Sequence, residues 1–142
     1  MCFPPATAEE PDFADDPAIL DHEQLYRGIK AKHLPSGLSG PVSSAAFKSK
    51  QEWAVRRHLS VYRQTLCTPL EVFNILRQSV ALASVSAGDA RNLKPEVGGV
   101  APVPGTHPAH SRIIRNRTVS DDMWSVVALL LAEACRIAHL RP

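Results

Sequence analysis

Residues 118–142 read TVSDDMWSVVALLLAEACRIAHLRP, and how this stretch is read decides the fold. Ser120 can cap a helix, because its hydroxyl accepts a hydrogen bond from an N–H of the first turn. Asp121 and Asp122 then favour the positive end of the helix dipole, and Arg136 and His139 favour the negative end. Between them Met123, Val126, Val127, Leu130, Leu131, Ala134 and Ile137 cover most of the helix circumference. The expectation is a long terminal helix reaching toward His139. A helix apolar nearly all round is buried in a core or covered by a partner. Trp124, Leu130 and Leu131 are therefore the candidates for a protein contact.

The stretch before it, THPAHSRIIRNR (106–117), turns at Pro108 and reads as a strand over HSRIIRNR. Alternation puts Arg112 and Ile114 on one side, and Ile113 and Arg115 on the other. One guanidinium per face suits an edge strand, where charge blunts self-pairing. The same forks can bind phosphate bidentately. Arg112, Arg115 and Arg117, with Arg56, Arg57 and Arg63, make a candidate anion-binding face. His107 and His110 stand three apart, but Pro108 between them disfavours a helix, and an extended chain sends them to opposite faces. A zinc site also needs further ligands, which only folding could bring from His58 or Cys67. No metal is expected.

Further back, TPLEVFNIL reads as a helix. Thr68 is the cap, Pro69 suits the first position, and Glu71 completes a capping box. SVALASVSA fits either a strand or a continuation of that helix. LSVYR alternates as a strand. VSSAAFKSK reads as a short strand or irregular edge. KHLPSGLSGP is a loop by its Gly, Pro and Ser density, and NLKPEVGGVAPVPGTHP is loop-rich. Residues 1–18 carry four prolines among acids and read as a mobile arm, with Phe3 and Phe13 able to anchor it. Residues 19–142 then form a single α+β domain, with short strands packed on two or three helices and an apolar C-terminal helix.

Charge is uneven. The seven acids of residues 1–25 meet no Lys or Arg, whereas 16 basic residues face seven acids over 26–142. A body this basic attracts phosphate-bearing partners. The longest apolar run, Met123–Ala134, falls short of the about 18 residues a membrane span needs. The first residues lack a signal-peptide pattern, so a cytoplasmic protein is expected. Three cysteines with no CxxC argue against a disulfide framework or zinc ribbon. Cys67, near a helix start, is the one thiol position where a lowered pKa is conceivable. Nucleotide-binding P-loop, GxGxxG and GxSxG signatures are absent.

LYRGI, then VSSAAFK, then LSVYR, followed by a late PAH strand, resembles an order found in small bacterial proteins of no known activity, over most of residues 25–117. More distantly, LYRG followed by a Ser-Ser-x-x-Phe element resembles the opening motifs of ADP-ribosyltransferase-like folds. That resemblance implies an NAD-binding site in which Arg27 pairs with pyrophosphate and Ser43 or Ser44 bonds the amide, with His110 as a further candidate. The sequence departs from that pattern at the late glutamate such sites commonly need: Glu96 lies in a Pro/Gly loop, Glu133 lies inside the terminal helix, and no Glu-x-Glu pair exists. The main expectation is a non-catalytic accessory subunit of a bacterial assembly. It would have no cofactor, a basic face for nucleic acid or another anion, and a helix for a protein partner. The alternative is a small NAD-binding enzyme. Convergence of Arg27, Ser44 and His110 in one pocket separates the two.

Overall fold

A computed structural model describes residues 14–48, 58–116 and 119–142. The architecture is α+β, and the described residues form a six-stranded antiparallel sheet and three α-helices. The strands are β1 (Gln24–Ile29), β2 (His58–Arg63), β3 (Ala81–Ser86), β4 (Val97–Pro102), β5 (His110–Arg115) and β6 (Arg136–Leu140). The helices are α1 (Pro69–Ile75), α2 (Ala87–Arg91) and α3 (Asp121–Ala134), with short 3-10 turns at Ala31–His33, Ser44–Phe47 and Gln64–Leu66. The spatial order is β4-β5-β2-β1-β3-β6.

The period of two in each strand divides the apolar residues between the sheet's faces. Leu25, Ile29, Leu59, Val61, Ala83, Val85 and Ile113 join the main core with Phe47 and with Trp124, Val127, Ala128 and Leu131 of α3. Tyr26, Tyr62 and Leu82 face the other way, against Val72 and Phe73 of α1. The α1 capping box forms as its sequence predicts. Thr68 Oγ1 accepts from the Glu71 N–H at 3.2 Å, and the Glu71 carboxylate accepts from the Thr68 N–H at 2.9 Å.

Two expectations are corrected, and two open readings are decided. The terminal helix begins on its Ser120 cap but stops at Ala134. Cys135 turns extended, and Arg136–Leu140 adds to β3 as the outermost strand. No Gly or Pro marks this stop; the unpaired edge of β3 takes residues that helical periodicity would have kept. Next, β5 is not an edge strand, for it lies between β2 and β4 and pairs with both. Of VSSAAFKSK, read as a short strand or irregular edge, the described residues 42–48 hold no strand: Ser44–Phe47 forms a 3-10 turn packed on α3, where the Trp124 indole N–H donates to the Phe47 carbonyl at 3.3 Å. The ambiguous SVALASVSA is the strand β3.

Of the expected arm, residues 14–18 are described, and they meet the body. The Asp15 carboxylate accepts from the Val100 N–H at 2.8 Å and from Arg91 Nε at 2.9 Å. Gly99, at φ +136°, leaves room for Asp15 where a Cβ would collide with it. Asp21 takes another Arg91 N–H at 2.7 Å. An acid of the arm, Asp15, and one just after it, Asp21, thus engage Arg91 of the domain.

Candidate anion-binding cleft

The two edges of β1 are treated differently. Toward β3 it pairs along its whole length, from Gln24↔Ser86 to Ile29↔Ala81. Toward β2 it pairs at Leu25↔Arg63 and Tyr26↔Tyr62. Beyond Tyr26 the Arg27 side chain takes over the role of the missing ladder. Its Nη1 donates to the Ser60 carbonyl at 2.9 Å, and its Nε donates to the Ala46 carbonyl at 2.9 Å. Backbone acceptors inside a fold need donors, and here a side chain supplies them. The sheet forks at this point.

An ion pair clasps the root of the fork. Arg63 donates to Glu23 through Nε at 2.9 Å and Nη2 at 3.0 Å, and the Thr65 hydroxyl bonds the same carboxylate. Burial raises the Glu23 pKa, but the bonds from Arg63 and Thr65 and the Arg63 charge outweigh it, so the carboxyl sits below its ordinary range.

A cleft of about 800 Å³ opens where the strands part. The turn after β1 brings Lys30, Lys32 and His33 to it, and the Ser44–Phe47 turn leads into Lys48. The α1–β3 connection contributes Leu76, Arg77, Gln78 and Ser79, and the sheet contributes Arg27, Gly28, Ser60, Tyr62 and His110. Lys30, Lys32, Lys48 and Arg77 are exposed there, and no Asp or Glu among the described residues lines the cleft. The wall formed by the α1–β3 connection sits hard against β1. A Cβ at residue 28 would crowd the Ser79 hydroxyl and a Leu76 methyl, and those side chains would have to shift to admit it.

The two imidazoles of the cleft are held in place. His33 Nδ1 accepts from the Lys30 N–H at 3.1 Å, which puts the proton of the neutral ring on Nε2. Burial, then the charges of Lys32, Arg27 and Lys30, lower its pKa. The His110 ring stacks on Tyr62, with centroids 5.1 Å apart and planes 16° apart, and its Nδ1 meets Thr106 Oγ1 at 3.0 Å.

The sequence-derived candidates scatter. Arg27 and His110 share the cleft, whereas Ser43 and Ser44 are not among its lining residues. The Ser43 hydroxyl instead accepts from the Ala45 N–H at 3.2 Å and caps the 3-10 turn that Ser44 begins. The expected basic face does not form on β5. Arg112 and Arg115 are 3% and 2% exposed, because β5 is an interior strand. Arg115 Nη2 donates to the Val119 carbonyl at 2.6 Å and the Asp121 carboxylate at 3.2 Å, and its guanidinium lies 5.7 Å from the Trp124 ring centroid. It fastens the start of α3 to the sheet. Arg63 is taken by Glu23. Arg56, Arg57 and Arg117 lie outside the described residues.

On α3, Trp124 and Leu131 point into the core, a correction to their reading as contact residues; Leu130 is 41% exposed, beside Met123, Val126 and Leu129. His107 Nε2 approaches Glu71 at 3.3 Å, apart from the work of His110. Among the described residues no group of three or more His, Cys, Asp or Glu is placed to hold a metal ion. None of the described helices is long and apolar enough to cross a membrane. The Cys67 thiol donates to the Arg63 carbonyl, and burial, then the Glu71 and Glu23 charges, push it up to about 11. It is protonated at neutral pH and no nucleophile.

Sequence reasoning missed Lys30, Lys32, Lys48 and Arg77. Each lies outside a strand or α-helix, where an isolated cation looks merely solvated. The usable signal was Gly28 directly after Arg27, a mark of close backbone approach within a strand. Comparison with known proteins returns no matching family, no matching curated protein and no matching solved structure.

Proposed function

We propose that this domain is a binding module for a compact phosphate-bearing anion, held in the cleft at the sheet fork. One observation carries the reading: Lys30, Lys32, Lys48 and Arg77 surround a single concavity that no described carboxylate lines. Like charges gathered around a cleft focus potential and draw in a counter-charge. Arginine adds a fork matched to phosphate oxygens. A local concavity suits a small ligand better than an extended polymer. The other exposed described cations, Lys94, Arg136 and Arg141, are not among the residues lining the cleft.

Pyrophosphate titrated calorimetrically at low ionic strength tests this. Binding should weaken steeply as salt rises toward 0.1 M, where the screening length is about 10 Å. No heat at low salt, or a salt-insensitive signal, would sink the proposal.

A second reading, an NAD-consuming enzyme, is favoured by the meeting of Arg27 and His110 in one cleft. Ser43 and Ser44 do not join them there. Incubation with NAD, read for nicotinamide release, decides between binding and turnover. If α3 also contacts a protein, the face available is Met123, Val126, Leu129 and Leu130.

A further inference from the structure

The cleft wall that carries Arg77 is tied down by the segment that follows β6. Residues 76–80 follow α1, and a helix end leaves carbonyls without intrahelical partners. Arg141, just beyond β6, supplies the donors. Its Nε donates to the Ser79 carbonyl at 2.6 Å. Its Nη2 lies within hydrogen-bond reach of the Phe73, Leu76 and Arg77 carbonyls at 3.0, 3.0 and 3.1 Å. The guanidinium also lies 4.9 Å from the Phe73 ring centroid, a cation–π distance. The Arg141 N–H meets the Val80 carbonyl at 3.0 Å, which fixes the arginine's own backbone to the same segment.

We infer that Arg141 is a positioning residue for the anion-binding cleft, setting the Leu76–Ser79 wall so that Arg77 faces the ligand. The inference rests on the anion-binding reading above. Arg141 holds the wall through its carbonyls, and the bare Gly28 lets the Ser79 and Leu76 side chains come close to β1. A planar fork shared among several carbonyls defines position more tightly than a single ammonium can. Arg141 itself is not among the residues lining the cleft, so its influence on binding passes through the wall.

The test measures the pyrophosphate dissociation constant and the melting temperature for the wild type, Arg141→Gln, Arg141→Lys, Gly28→Ala and, as a control, Arg91→Gln. Arg91→Gln breaks the Asp15 and Asp21 pairs far from the cleft. It should lower the melting temperature and leave affinity unchanged. Arg141→Gln should weaken binding about tenfold or more, with Arg141→Lys in between. Gly28→Ala, which crowds the Ser79 and Leu76 side chains of the same wall, should weaken binding as well. Hydrogen exchange should quicken at the Ser79 and Val80 amides in Arg141→Gln.

If wild type binds and Arg141→Gln binds equally well, the positioning role is overturned while the cleft reading stands. The positioning role falls equally if affinity tracks melting temperature alone, with Arg91→Gln losing as much. If the wild type binds no pyrophosphate, the cleft reading fails first and the inference goes with it.

Discussion

The two edges of β1 show what a strand does when it is fully paired and when it is not. Along β3 every residue has a partner, and the residues opposite are small or apolar: Ala81, Leu82, Ala83 and Val85. That seam is backbone and packing, with one side-chain hydrogen bond across it, from the Ser84 hydroxyl to the Gln24 side-chain oxygen. Along β2 the pairing lapses after Tyr26, and the residues there are Arg27, Gly28 and Ser60, with Lys30 and His33 close by. An interrupted ladder frees carbonyls and makes room, and polar side chains fill it. On this sheet, chemistry gathers where backbone pairing ends.

The paired seam is tested most severely by Leu25→Ala. Leu25 is fully buried and pairs with both neighbours, Arg63 and Val85. Truncation should remove about 2–5 kcal/mol of stability in a urea titration. The molecules that remain folded should keep their affinity for pyrophosphate.

Next in size is the clasp at the fork. Glu23→Gln leaves Arg63 with a neutral partner and should cost about 1–3 kcal/mol. The pH dependence follows from the same group. Its folded pKa is depressed below the ordinary 4.5, so the unfolded chain takes up that proton more readily. The stabilisation is present above 4.5 and is lost as pH falls through the folded value. Glu23→Gln should flatten the acid limb of a stability–pH curve; an unchanged limb would show that other carboxylates carry it. His33 acts earlier, since its folded pKa lies below the ordinary 6.5. Its contribution is present above 6.5 and declines as pH falls, and His33→Gln should remove that decline.

A smaller stability effect separates the two edges most cleanly. Lys48→Ala with Arg77→Ala touches only exposed side chains of the cleft. Stability should change by no more than about 0.5 kcal/mol for each substitution. Pyrophosphate affinity should nevertheless fall markedly; retained affinity would place the anion elsewhere. The smallest change is Leu130→Ala, on the outer face of α3, again within about 0.5 kcal/mol. Its neighbour Leu131→Ala, wholly buried, should lose about 2–5 kcal/mol. A reversal of that order would contradict the orientation of the helix.

Local chemistry made part of this legible in the sequence. The Thr68–Glu71 box and the Ser120 cap announce α1 and the start of α3, because a cap is written within a single helical turn. The end of α3 is not written locally. Cys135 has no intrinsic reason to leave the helix, and the open edge of β3 decides it from far back in the chain. Arg112 and Arg115 were misplaced for the same reason, since alternation shows which face a residue takes but not which strands lie alongside. The cleft was half visible, through Arg27 and His110. Its exposed lysines belong to segments that sequence separates and only the sheet order brings together.

The strand order has a kinetic consequence. β3 is laid down before α2, β4, β5 and α3, yet its outer neighbour is β6, and Ala81 must wait for Leu140. Until that late segment emerges from the ribosome and swings back, the nascent sheet carries a bare rim of hydrogen-bonding groups. Such a rim is open to annealing with another copy, so a chain cut before Arg136 should aggregate more readily than the chain that carries β6.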